Sequence, residues 1–295
     1  MGLAIVIVLG ASAVVLAHEH LLPGPEIPIS AALLPVQHTP ASVSLTLPTT
    51  PPSSSGGSGV SNSATLPPSV SSSVANAVAA RVEPAVVDIN VTLPANTGGA
   101  SGTGMILTSS GLVLTNNHVV RGASTISINI VGHSTIYTGR VLGVDPTADV
   151  ALVQMEGVSH LPTVSIASAP ARIGQAVIAI GNALGKGGMP TVTSGAVVLL
   201  DQTITATDYS GGSETLTHMI QMSAALAPGD SGGPLVNTNG RVVGMDTAAG
   251  GSSGDSEFST TAFAIPIQRA LTIAHEIENG RASTDVLLQP TAIMG

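Results

Sequence analysis

From about residue 85 the chain alternates short β-branched runs with Gly, Asn or Pro. Val86–Leu93, Met105–Leu107, Leu112–Thr115, Thr125–Ile130, Thr135–Val144 and Val150–Met155 make a first set of expected strands. Val177–Ile180, Thr191–Ile204, Thr215–Gln221, Pro234–Val236, Arg241–Met245 and Thr260–Ile265 make a second. Short apolar runs at this spacing predict an all-β barrel or sandwich. Pro266 then opens a helix through about Glu278, with Gly280 as its stop signal.

The region before this pattern is different. Residues 3–17 form an unbroken, largely apolar run without charge. Its length suits the core of an export signal better than a full membrane span. Val15-Leu16-Ala17 offers a cleavage site, but no basic residue precedes the run. Residues 1–20 are therefore expected to be a signal peptide or a membrane anchor. Residues 21–73 are rich in Pro, Ser, Thr and Gly, above all from Pro40 onward. Such a segment buries too little apolar surface to offset the entropy of ordering it, so it reads as a disordered stalk. The globular domain is expected over 74–280, with a tail over 281–295.

Composition removes several function classes. Charged residues are 8 % of the chain and the net charge is −9. That argues against nucleic acid, which is bound by a basic face. The chain has no cysteine, so disulfides and zinc–thiolate sites are excluded. His18 and His20 flank Glu19, but the remaining histidines outside the motifs below are scattered without ligand spacing. No metal and no cofactor are expected.

Candidate chemistry lies in three places. Gly229-Asp230-Ser231-Gly232-Gly233-Pro234-Leu235 is a glycine-rich turn that presents one serine before an apolar strand. Upstream are Thr115-Asn116-Asn117-His118 and Thr147-Ala148-Asp149. A serine hydroxyl needs a base to take its proton, and the base needs a carboxylate to fix its tautomer. His118, Asp149 and Ser231 suit those roles, in the chain order His, Asp, Ser of chymotrypsin-type triads. The N–H groups of Gly229 and Ser231 can converge as an oxyanion hole. Each element alone is a weak signal; the three in order are a specific one.

These residues, with further stretches in one order, resemble the HtrA (Deg) branch of trypsin-like serine proteases. The stretches include Val82 to Ile89, Gly102 to Leu107, Gly111 to Val120, Ala179 to Gly185, Thr191 to Gly195 and Phe263 to Ile267. The resemblance implies two six-stranded antiparallel β-barrels with a C-terminal helix and the active site between them. It implies endoproteolysis of unfolded or misfolded polypeptides outside the cytoplasm, where the N-terminal run would export or tether the chain. It also implies a homotrimer, commonly held by aromatic contacts near the domain's start, where this chain has none.

The chain departs from the family pattern in places. Asp230 stands where the family commonly has Asn. In digestive relatives this Asp pairs with a newly cut N-terminus, but no activation-site sequence precedes the domain here. Met222-Ser223-Ala224-Ala225 replaces a frequent Thr-Asp-Ala-Ala. The family usually continues into PDZ domains; the tail from Val286 reads as the start of one, or as a short extension.

The trypsin-like pattern puts the residue six before the serine at the pocket base. Here it is Ala225, with no carboxylate for a basic side chain. Met245, Asp246 and Thr247 are expected to form a pocket wall, and Gly250–Ser259 a mobile loop beside it. Cleavage is expected after small or medium apolar residues. Two other readings stay open: a chaperone or peptide-binding protein that keeps the fold but cleaves little, and an esterase using the same triad.

Overall fold

In the strand Thr125–Ile130 the side chains of Ile126, Ile128 and Ile130 are buried and alternate with more exposed positions, the period-2 signature of a sheet with one face on a core. The computed structural model describes residues 6–9, 70–94, 98–182, 188–208, 213–250 and 261–289. The described residues all belong to one compact unit.

In chain order the elements are β1 (Val6–Leu9), α1 (Ser72–Val82), β2 (Val86–Thr92), β3 (Gly99–Ile106), β4 (Leu112–Thr115) and α2 (Asn117–Val120). Next come β5 (Thr125–Ile130), β6 (Ile136–Asp145), β7 (Val150–Met155), β8 (Ser165–Ile166), β9 (Ala176–Gly181) and β10 (Thr191–Asp208). The last are β11 (Ser213–Met222), β12 (Pro234–Asn237), β13 (Arg241–Gly250), β14 (Ala262–Pro266), α3 (Ile267–Glu278) and β15 (Leu287–Leu288).

The expectation of two six-stranded antiparallel barrels is corrected by the strand pairing. The strands sort into an eight-stranded and a seven-stranded sheet. In the larger, β9, β10, β11, β14, β13 and β12 pair in antiparallel order and close on themselves, making one six-stranded barrel. Two further strands join it: β1 runs parallel to β10 and also pairs antiparallel with β13, and β8 runs parallel to β13. In the smaller sheet β6, β5, β2, β3, β4 and β7 form a ring, with β15 added on β6. Its β3–β4 seam has only two residue pairs, and its β6–β7 pairing slips between Val141 and Gly143, so it is described as a ring and not as a barrel. The added strands β8 and β15 are two residues long, too short to register as a hydrophobic pattern.

The interior is aliphatic. Ile89, Ile106, Val113, Ile128 and Met155 fill the ring. Val177, Val197, Met222, Leu235 and Val243 fill the barrel. A third cluster spans both sheets and the helices: Val78 and Val82 of α1, Leu114, Leu152, Ile178, Phe263, Ile265, and Ile273 and Ile277 of α3. Burying a side chain such as Ile or Leu contributes about 1.5–3 kcal/mol. The shared cluster therefore fixes the two sheets against each other.

The C-terminal helix forms as expected, and Gly280 follows it at φ +66. Of the N-terminal run, residues 6–9 pair as β1; residues 10–20 and the stalk up to residue 69 lie outside the described residues. So do the greater part of the Gly250–Ser259 loop and the end of the tail.

Candidate active site

Asp145 at the end of β6 shapes the turn that delivers the carboxylate. Its Oδ1 accepts the Thr147 N–H at 2.9 Å, the Thr147 hydroxyl at 2.7 Å and the Ala148 N–H at 3.0 Å. Such an Asx turn is a local alternative to strand pairing. Asp149 follows in the left-handed region, φ 55, and is fully buried. A carboxylate removed from water needs donors, and it has three. Oδ1 accepts the His118 backbone N–H at 2.9 Å; Oδ2 accepts the Thr247 hydroxyl at 2.6 Å and pairs with His118 Nδ1 at 2.8 Å. The Asn116 side chain donates to the Asp149 carbonyl at 2.9 Å. With its proton on Nδ1 against a carboxylate, an imidazole presents Nε2 as a base. That Nε2 is buried and without a hydrogen-bond partner among the described residues.

The serine sits on a turn clamped from the other sheet. Thr103 of β3 donates its N–H to the Ser231 carbonyl at 2.8 Å and its hydroxyl to the Gly229 carbonyl at 2.7 Å. The same hydroxyl accepts the Asn182 N–H at 2.9 Å. Gly232 has φ +88, and a Cβ there would lie 2.0 Å from the Thr103 carbonyl oxygen, so only glycine fits. The N–H groups of Asp230, Gly232 and Gly233 are bonded within the turn or to β13. Those of Gly229 and Ser231 have no partner among the described residues. The Ser231 hydroxyl donates to the Thr247 carbonyl at 3.1 Å. Thr247 thus touches both Asp149 and Ser231.

A family model described as the trypsin-like peptidase domain matches residues 102–245. Serine protease PepD of Mycobacterium tuberculosis is 40 % identical over 221 residues, covering 70 % of this chain and 47 % of that protein. A probable periplasmic serine endoprotease, DegP-like, of Pseudomonas putida is 37 % identical over 184 residues, covering 62 % of this chain and 36 % of that protein. Among solved structures, the HtrA-type protease AlgW with tripeptide superposes with a TM-score of 0.59 at 31 % identity, covering 70 % of this chain and 64 % of that one. The chain carries an HtrA/Deg-type trypsin-like serine protease domain. It spans less than half the length of the curated relatives it matches.

The protease domain brings His118, Asp149, Ser231, Gly229 and Thr247 together. The other residues expected at the pocket lie as follows. The Ala225 carbonyl accepts the Thr193 hydroxyl at 2.6 Å, and Ala225 is half-buried. Met245 is fully buried in the shared core, opposite Pro234 and Ile265. Asp246 is fully buried, with both carboxyl oxygens unpartnered among the described residues. Asp230 Oδ2 accepts the Ala227 N–H at 2.9 Å. Burial pushes the Asp230 carboxyl up to about 7, against the opposing pull of that N–H. Burial, then the neighbouring Asp230 charge, holds Asp246 well above the ordinary carboxylate range.

Sequence reasoning missed Thr103, Asn116 and the bond from Thr247 to Asp149. The first two lie inside stretches that carry the family resemblance, but a threonine or asparagine gives no signal of its own partner. Among the described residues no group of three or more His, Asp or Glu is placed to hold a metal.

Proposed function

We propose that the domain is an exported serine endopeptidase in which Ser231 is the nucleophile, His118 the general base and Asp149 the residue that orients and charge-balances the imidazole. The observation that carries this reading is the bond from His118 Nδ1 to Asp149 Oδ2 at 2.8 Å, with Nε2 left free. For attack the Ser231 hydroxyl leaves the Thr247 carbonyl and gives its proton to Nε2, while Oγ bonds to the scissile carbonyl carbon. The resulting oxyanion is met by the N–H groups of Gly229 and Ser231. His118 then returns the proton to the leaving amine, and water repeats the sequence on the acyl-enzyme. Two fixed donors at the oxyanion are each worth about 2.7–4 kcal/mol of barrier.

The substrate class is unfolded polypeptide, cut after small or medium apolar residues, because Ala225 offers no charge at the pocket base. In this reading Thr247 is the residue of the expected wall that meets the substrate beside Ser231, since the backbone of Asp246 is bonded to Gly232 and Gly233. An extracytoplasmic setting agrees with the apolar N-terminal run and with relatives named as periplasmic endoproteases. Cleavage or retention of that run decides between release and tethering; no helix among the described residues is long and apolar enough to cross a membrane.

The test is hydrolysis of unfolded casein by the full chain beside S231A, with products sequenced by mass spectrometry. Serine-dependent cuts after Ala, Val, Leu or Met support the reading. Cuts after Lys or Arg contradict the pocket assignment. The peptide-binding alternative draws on one observation, the Ser231 hydroxyl bonded to Thr247 and not to His118. It predicts suppression of casein aggregation that survives in S231A, without hydrolysis by the unaltered chain.

A further inference from the structure

Two buried carboxyl groups belong to residues bonded into the nucleophile turn. Asp230 precedes Ser231, and Asp246 lies on β13 opposite Ala264 of β14. Both backbones bond Gly233, and Asp246 also bonds Gly232: the Gly232 N–H donates to the Asp246 carbonyl at 2.7 Å, the Asp246 N–H to the Gly233 carbonyl at 2.8 Å, and the Gly233 N–H to the Asp230 carbonyl at 2.9 Å. Asp230 is 2 % exposed and Asp246 0 %. Apart from Asp230 Oδ2, which takes the Ala227 N–H, the carboxyl oxygens of the two residues are buried without a donor among the described residues.

Among the described residues the surrounding elements supply no compensating cation. Strands β3, β9, β12 and β14 contain no titratable residue. On β13 the one cation is Arg241, exposed at the strand's far end. On β11, which borders β14 at Ile220–Met222, Glu214 and His218 lie toward the other end. Asp149 and His118, reached through Thr247, are committed to each other. Two buried carboxylates with one donor for four oxygens would repel and leave the other three unsatisfied, whereas one carboxyl proton supplies a donor and removes a charge.

We propose that Asp246 is a positioning residue for the oxyanion turn, keeping a proton that it donates to Asp230, so that the turn is held by a protonated acid pair and loosens when the pair loses that proton. The proposal rests on the reading of Ser231 as nucleophile for its catalytic consequence, though not for its structural one. Burial holds both groups above the usual carboxylate range, and for Asp246 the neighbouring Asp230 charge adds to it, so the pair keeps its last proton to a higher pH than an ordinary carboxyl would. The domain is then expected to lose kcat at alkaline pH, with KM little changed.

The experiment compares the full chain with D246N and D246L, following kcat and KM from pH 6 to 10 and the melting temperature from pH 4 to 9. Leucine removes the donor, and kcat should fall at least about tenfold at every pH. Asparagine carries a permanent N–H donor; it should restore most of that loss and remove the alkaline limb. The melting temperature of the unaltered chain should fall as pH rises from about 4, and D246N should flatten that fall. A D246N profile that keeps the alkaline limb and the melting slope of the unaltered chain overturns the proposal. If no variant hydrolyses casein but D246N still flattens the slope, the acid pair stands and the protease reading fails.

Discussion

Thr247 donates its hydroxyl to Asp149 Oδ2 at 2.6 Å while its own carbonyl accepts the Ser231 hydroxyl at 3.1 Å. One residue of β13, in the barrel, therefore touches both ends of the proposed triad, whose His118 and Asp149 come from the ring side. Asp149 is fully buried, so each of its donors counts: a hydrogen bond to a charged group contributes about 1.5–3 kcal/mol.

Thr247→Val removes that donor without changing the shape of the side chain. The expected result is a fall in kcat of about 10- to 100-fold, since about 1.4 kcal/mol is tenfold in rate. KM should be nearly unchanged, because the carbonyl remains. Steady-state kinetics on a peptide with an apolar residue before the scissile bond checks this.

Gly232→Ala and Gly157→Ala should differ sharply. Both glycines have positive φ, +88 and +71. A Cβ at Gly232 meets the Thr103 carbonyl oxygen at 2.0 Å, whereas at Gly157 it meets nothing within 4 Å. Gly157→Ala should cost only the backbone strain, about 1–2 kcal/mol, with activity retained. Gly232→Ala must move the nucleophile turn and should abolish hydrolysis. Denaturant unfolding and casein hydrolysis report the two effects separately.

Thr103→Val deletes a hydroxyl that serves the Gly229 carbonyl and the Asn182 N–H together. Each buried group left unsatisfied costs about 1–3 kcal/mol. The variant should lose at least about 2 kcal/mol of stability, and kcat should fall with it because Gly229 is a proposed oxyanion donor. Loss of stability without loss of kcat would show that the clamp serves folding alone.

The twelve strands of the two expected sets are all present, and β4, β5 and β7 have the expected ends. Those runs are legible because alternation and turn residues are local properties. Closure is not local. Whether β6 meets β7 evenly or slips depends on residues far apart in sequence, and β8 and β15 exist only because a neighbouring edge is there to pair with. Helix α1 was hidden differently: Ala75, Val78, Ala79 and Val82 have helical spacing, but they emerge from a serine-rich stretch that reads as stalk. In the site, the rare glycine–serine turn was visible. For the segment from Met245 to Thr247, expected as a pocket wall, the sequence does not show which side chains are buried, because a strand's facing cannot be read until its partners are known.

Asp88 on β2 offers a test of pH dependence away from the site. It is 6 % exposed, and burial pushes its carboxyl up to about 6. The folded state therefore binds this proton more tightly than the unfolded chain, whose aspartate titrates near 3.8. Stability from this group is full below about 4 and is lost as pH rises to about 6; at about 1.36 kcal/mol per unit the loss is at most about 3 kcal/mol. Asp88→Asn should remove that portion of the slope in a series of urea unfolding curves between pH 4 and 7.

The most direct measurement is labelling of the folded full chain with a fluorophosphonate, followed by peptide mapping. Such a probe bonds only to a serine whose proton is taken by a base and whose oxyanion is stabilised. The account predicts one adduct, on Ser231, that disappears in H118A. No adduct on a folded protein, or an adduct on Ser231 that forms equally well in H118A, would contradict it.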